Sequence, residues 1–159
     1  MPVNRSIARV MVKVTDLDRA VEFAEKVLGA RFQFVAPYNP NSKSGLRSAI
    51  CVEPGLELIQ VVGEDGDIAM FDQPESGRAV FEFLRDAPIG IVGAVYDMED
   101  VEAARAEAEA RGIDVIFKYD FTPEQLDKLG WGYTKYVEYF LDPYKTGNGL
   151  VLLASFNIH

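Results

Sequence analysis

Val10-Met11-Val12-Lys13-Val14-Thr15-Asp16-Leu17 and Gly93-Ala94-Val95-Tyr96-Asp97-Met98-Glu99-Asp100-Val101 carry one pattern twice: an alternating strand, an aspartate, then an apolar helix start. The first helix pattern stops at Gly29 and the second at Gly112, and each copy closes on a similar strand. These closing strands are Gly55-Leu56-Glu57-Leu58 and Gly149-Leu150-Val151-Leu152. Working outward, Val10, Val12 and Val14 fall on one side of a strand over residues 6–14, with Ile7, Arg9, Met11 and Lys13 on the other. Successive side chains alternate across a strand, so the valine side belongs under a helix. Asp16 or Thr15 caps that helix, and Leu17, Ala20, Val21, Ala24, Val27 and Leu28 recur at helical spacing until Gly29 stops it.

Further strands are expected near residues 31–35, 46–52 and 56–62, separated by Pro- and Gly-bearing turns. In the second copy a strand at 91–96 precedes an Ala- and Glu-rich helix at 100–110 and strands near 115–119, 136–141 and 150–154. The order is β-α-β-β-β twice, with a fold class of α+β and a division at residues 1–86 and 87–159. Residues 63–88 form a long connection with a helix at 79–85. Thr122-Pro123-Glu124-Gln125 has the cap and proline of a further helix start.

Composition narrows the function. At 159 residues and 48% hydrophobic content the chain makes one compact unit or two small fused halves. A net charge of -9 argues against nucleic acid, whose phosphates need clustered Lys and Arg, and favours a cationic ligand if charge matters. No stretch approaches the roughly 20 apolar residues of a membrane helix, and the N-terminus lacks a secretion-signal plan, so the expectation is no membrane and a cytoplasmic place. The lone Cys51 reads as a buried, inert thiol. The single histidine, His159, excludes Ser-His-Asp and Cys-His chemistry.

The paired modules resemble a known family. Asp16-Leu17-Asp18-Arg19-Ala20 starts the first helix and Val27-Leu28-Gly29 ends it. Phe140-Leu141-Asp142-Pro143 precedes Gly147-Asn148-Gly149-Leu150 near the end. These residues are similar to the vicinal oxygen chelate superfamily of glyoxalase I, methylmalonyl-CoA epimerase, extradiol dioxygenases and bleomycin-resistance proteins. The resemblance spans about Ile7 to Ser155. It implies two modules curled into a cup of mixed sheet, a homodimer, and metal ligands on the first and last strands of each module.

Counted from the helix starts and closing Gly-Leu pairs, those ligand positions correspond to Arg9, Glu57, Gly93 and Val151. Only Glu57 keeps a ligating side chain, so no metal and no cofactor is expected. Arg9 and Glu57 should face each other, either as a neutralising ion pair or as an anchor and a base for a ligand. Gly93, Val95 and Val151 would line an apolar, roomy opposite wall, which Met11 and Ile59 extend, with Lys13 near the rim. Trp131, flanked by Gly130 and Gly132, and Tyr133 lie in an inserted loop suited to close over a ligand. Core packing and a lid both fit these aromatics.

Three functions fit. The first is a metal-free protein that binds a small, partly apolar organic molecule, aromatic or amphipathic, between the modules. The second is a lyase or isomerase, glyoxalase- or epimerase-like, in which Arg9 and Glu57 replace the metal. The third is a non-catalytic interaction module with a filled interior. Glu138 is a further carboxylate whose side of the strand the alternation leaves open.

Overall fold

The computed structural model describes residues 2–35, 38–39, 44–63, 74–130, 132–147 and 149–158. Among them the order is β1 (Asn4–Val14), α1 (Leu17–Leu28), β2 (Gln33–Val35), β3 (Tyr38–Asn39), β4 (Ser44–Cys51), β5 (Leu56–Val62) and α2 (Pro74–Asp86). Then come β6 (Gly90–Met98), α3 (Val101–Ala110), β7 (Val115–Asp120), α4 (Pro123–Leu129), β8 (Tyr133–Leu141), α5 (Pro143–Thr146) and β9 (Leu150–Ile158). This is the α+β, twice-repeated β-α-β-β-β order expected of the repeat, with α2, α4, α5 and β3 added to it. The chain divides into two compact units, Arg9–Val92 and Gly93–His159 together with Met1–Ala8. The first residues of β1 therefore belong with the second module. Arg5 donates to Asp97 at 2.7 Å there, and Glu99 N–H to the Val3 carbonyl at 2.9 Å.

In the Arg9–Val92 unit the strands lie in the order β2-β4-β5-β1, with β3 beside β4. β1 and β5 run parallel and the other pairs antiparallel. A helix must cross between parallel neighbours, and α1 does so. Asp16 caps it by accepting from the Arg19 N–H, and Gly29 ends it in the left-handed conformation. Leu17, Val21, Ala49 and Leu58 form the core beneath α1, joined by Val12, Val14 and Leu56, so the valine side of β1 does lie under the helix. Cys51 is buried, its thiol donating to the Glu53 carbonyl.

The other unit orders its strands β6-β9-β8-β7, again with its first and last strands parallel. Asp100 caps α3, whose Val101, Ala104 and Ala108 pack on Met98, Val137, Tyr139, Leu141 and Leu153. The Thr122 and Gln125 capping box starts α4 as the spacing predicts. β8 is longer than expected and takes in Tyr133, while α5 is a four-residue turn of helix begun by Asp142 and Pro143.

Gly93 is fixed by the approach of β9. A Cβ there would stand 2.1 Å from the Leu150 carbonyl oxygen and 2.6 Å from the Leu150 Cβ. The roomy wall expected from this glycine is thus corrected: Leu150 fills the place of its side chain. Gly93→Ala should lower the unfolding free energy by at least about 3 kcal/mol, because backbone rather than a flexible side chain must move. Gly112→Ala, at φ +76° with nothing within 4 Å, should cost only about 1 kcal/mol of conformational strain. Urea unfolding of both variants checks the contrast, and equal losses would refute it.

Candidate functional site

Strand register brings the charged residues of the Arg9–Val92 unit together. Met11 pairs with Glu57 and Lys13 with Ile59 across the parallel β1/β5 ladder, so Arg9, Met11, Lys13, Glu57 and Ile59 share the face turned away from α1. The Arg9 Nε donates to Glu57 Oε2 at 3.3 Å, with side-chain exposures of 5% and 12%. Met11 and Ile59 beside them are buried. Two opposite charges held away from water on an apolar face keep each other ionised, and removing one would strand the other.

Lys13, expected near the rim, is tied to the end of α2. Its Nζ donates to the Arg85 carbonyl at 2.9 Å and the Ala87 carbonyl at 2.6 Å, satisfying free carbonyls at the C-terminal end of α2. α2 in turn packs on β5, with Val80, Phe81 and Leu84 buried. The helix in the long connection is therefore tied to the strand that carries Arg9.

The expected apolar wall is partly redrawn in the second unit. The register pairs Gly93 with Leu150 and Val95 with Leu152, which puts Leu150, Leu152 and Ala154 on the face of Val95. Val151 and Leu153 lie on the other side, packed toward α3. The placement of Val151 on the Val95 face is thus corrected by one residue. Gly93 and Arg9 sit the same distance before their capping aspartates, yet Glu57 lies opposite Met11 while its counterpart opposite Val95 is Leu152. Aligning the two closing glycines hides this slip, which sets Leu150 against Gly93.

Tyr133 belongs to β8 rather than to a loop. A register shift between Tyr133 and Lys135 turns its ring onto the side of Tyr136, where it packs with Leu126 of α4 and Phe156. Trp131 lies outside the described residues. The alternation that left Glu138 open is resolved by its neighbours. Val137, Tyr139 and Leu141 face α3, so Glu138 faces the opposite way, 3% exposed and accepting from the Tyr136 hydroxyl. Tyr119 stands across from it on β7 and Ala154 on β9, and Phe117, Tyr119 and Phe140 pack edge to face nearby. Aromatics on both faces of β8 gave no period from which the sequence could choose a side.

On the α3 side, Glu102 is more than a solvated carboxylate. It accepts from the Tyr139 hydroxyl and from Arg105 Nε at 3.1 Å. The Tyr139 bond, with help from Arg105 against the opposing effect of burial, holds its carboxyl below the usual range. Burial first, then Glu102, raises the Tyr139 phenol, and the bond to Tyr139 raises the Lys118 ammonium. A lowered carboxyl stabilises the fold at neutral pH and loses that contribution as the pH falls through its titration. A raised phenol loses its contribution as the pH rises through its own. In Tyr139→Phe the Glu102 titration should move up toward the ordinary carboxylate range, followed by carbon-detected NMR; an unmoved midpoint would refute the linkage.

Among the described residues no group of three or more His, Cys, Asp or Glu side chains could hold a metal ion. The residues at the positions where the family resemblance puts ligands do not fit a divalent ion either, since guanidinium, glycine and aliphatic carbon donate no lone pair to it.

Two parallel-closed β-α-β-β-β modules, one presenting a buried Arg–Glu pair at the meeting of its first and last strands, define the class of protein. The family model of the Glyoxalase/Bleomycin resistance protein/Dioxygenase superfamily matches residues 6–150, and the chain belongs to that superfamily. Comparison with curated protein sequences returns no match. Among solved structures, the chain is similar to methylmalonyl-CoA epimerase from Mycobacterium tuberculosis, at 20% identity and a TM-score of 0.58 over 96% of this chain and 88% of that one. A methylmalonyl-CoA epimerase in complex with methylmalonyl-CoA and NH4+ gives 20% identity and a TM-score of 0.62 over 96% and 95%. Hypothetical protein BH1468 from Bacillus halodurans gives 14% and 0.57 over 97% and 96%. These likenesses establish the fold.

Proposed function

We propose that the chain is an isomerase of the epimerase kind, which removes and returns a proton at a carbon beside a carbonyl. The observation that carries this is the buried Arg9–Glu57 pair, with its 3.3 Å contact on the face shared with Met11 and Ile59. Glu57 accepts the proton as the carbon–hydrogen bond breaks, and the electron pair of that bond becomes the enolate. Negative charge thereby passes from the Glu57 carboxylate to the enolate oxygen, while Arg9 stays cationic beside both. The site's net charge is the same before and after, so the transfer requires no new counter-ion in a water-poor place. Returning the proton from Glu57 to carbon restores the pair, and the configuration inverts when the planar enolate has turned its other face to Glu57 before that return. Methylmalonyl-CoA epimerases among the structural neighbours lend support to this reading over a protein that only sequesters its ligand.

The experiment is deuterium exchange in heavy water, followed by proton NMR, on α-branched carbonyl compounds and thioesters including methylmalonyl-CoA. Exchange at the α-carbon is expected for at least one. Glu57→Gln should slow it by about 10³-fold, from loss of the base. Arg9→Met should slow it by about 10²-fold, from loss of enolate stabilisation. Tight binding of the same compounds without exchange would replace the isomerase with a binding protein.

A further inference from the structure

We propose that the substrate of this site is a carbon acid without a phosphate-bearing carrier, an inference that rests on the isomerase reading. The epimerase neighbours include complexes with methylmalonyl-CoA and 2-nitronate-propionyl-CoA. A coenzyme A ester brings several phosphate charges that cationic groups must meet. Among the described residues of this unit, the cationic side chains that β1 and β5 place on the face of the pair are Arg9 and Lys13, and both are committed. Arg9 is balanced by Glu57. Lys13 holds the last carbonyls of α2 through two bonds, and turning to a phosphate would leave those carbonyls without it.

By sequence, residues 9–92 carry nine Lys and Arg against thirteen Asp and Glu, so the unit has no surplus of positive charge. Among the described residues Lys26 pairs with Glu22, Arg47 with Asp18 at 3.1 Å, and Arg85 with Asp86 at 3.0 Å. The sequence between β5 and α2 adds Glu64, Asp65, Asp67 and Asp72 without a lysine or arginine. With a net charge of -9, the chain's field repels a polyanion on approach and leaves a neutral or singly charged acid unhindered. What the face does offer is one guanidinium beside the apolar Met11 and Ile59, which suits a short carbonyl compound with a hydrocarbon branch.

Two measurements test this separately from the isomerase reading. Coenzyme A itself is titrated into the protein by calorimetry. The expected dissociation constant is weaker than about 1 mM, and a tighter one overturns the inference. In parallel, α-proton exchange is compared for methylmalonyl-CoA and the phosphate-free pantetheine thioester of methylmalonate. The expected kcat/KM ratio favours the CoA ester by less than about tenfold; a larger preference overturns the inference. If no carbon acid exchanges, the isomerase reading falls, while the coenzyme A titration still decides whether phosphate is recognised.

Discussion

The parallel pairing of the first and last strand of each module is the constraint on which the rest depends. A β-α-β-β-β chain brings β5 back beside β1 only with α1 covering one face of that ladder, so the other face collects alternate residues from both strands. Arg9 and Glu57 meet because the register sets Glu57 opposite Met11, and a slip of one residue would send Glu57 into the apolar core under α1. Leu58, Val21 and Leu17 thus determine the chemistry indirectly. Their burial fixes which side of β5 the carboxylate occupies.

The second module shows what the same topology does under another local condition. There β9 comes so close to β6 that only glycine fits at position 93, and the strand settles with Leu150 and Leu152 on the face where the first module has Glu57. On that face the β6/β9 ladder carries Asp97, paired with Arg5 at 2.7 Å rather than with a residue of β9. Beside it on β8 stands Glu138, hydrogen-bonded to Tyr136 among aromatic rings. One module joins its first and last strands through an ion pair and the other does not, although both are built from one repeat.

Much of this was legible in the chain. The valine alternation, the capping aspartates Asp16 and Asp100, and the glycine at the end of α1 state the module order directly, because caps and periods are local properties. The Arg9–Glu57 meeting was legible through parity once the two strands were taken as neighbours. What escaped the sequence depended on contacts between distant segments. The β9 register comes with a backbone approach at Gly93, the side of Glu138 follows from which rings of β8 reach α3, and the position of Lys13 from carbonyls more than seventy residues away at the end of α2. The strand position of Tyr133 needed a bulge that no composition signal announces.

The site depends on Arg9 and Glu57 acting as one unit, and a double-mutant cycle measures that most directly. Arg9→Met and Glu57→Gln, alone and together, are compared by urea unfolding. Each single change should cost about 3 kcal/mol because it leaves a buried charge unmatched. The double variant should then cost less than the sum of the two by at least about 1 kcal/mol. Additive losses, with no coupling, would mean that the two side chains only lie near each other, and a proton transfer from substrate to Glu57 balanced by Arg9 would have no basis.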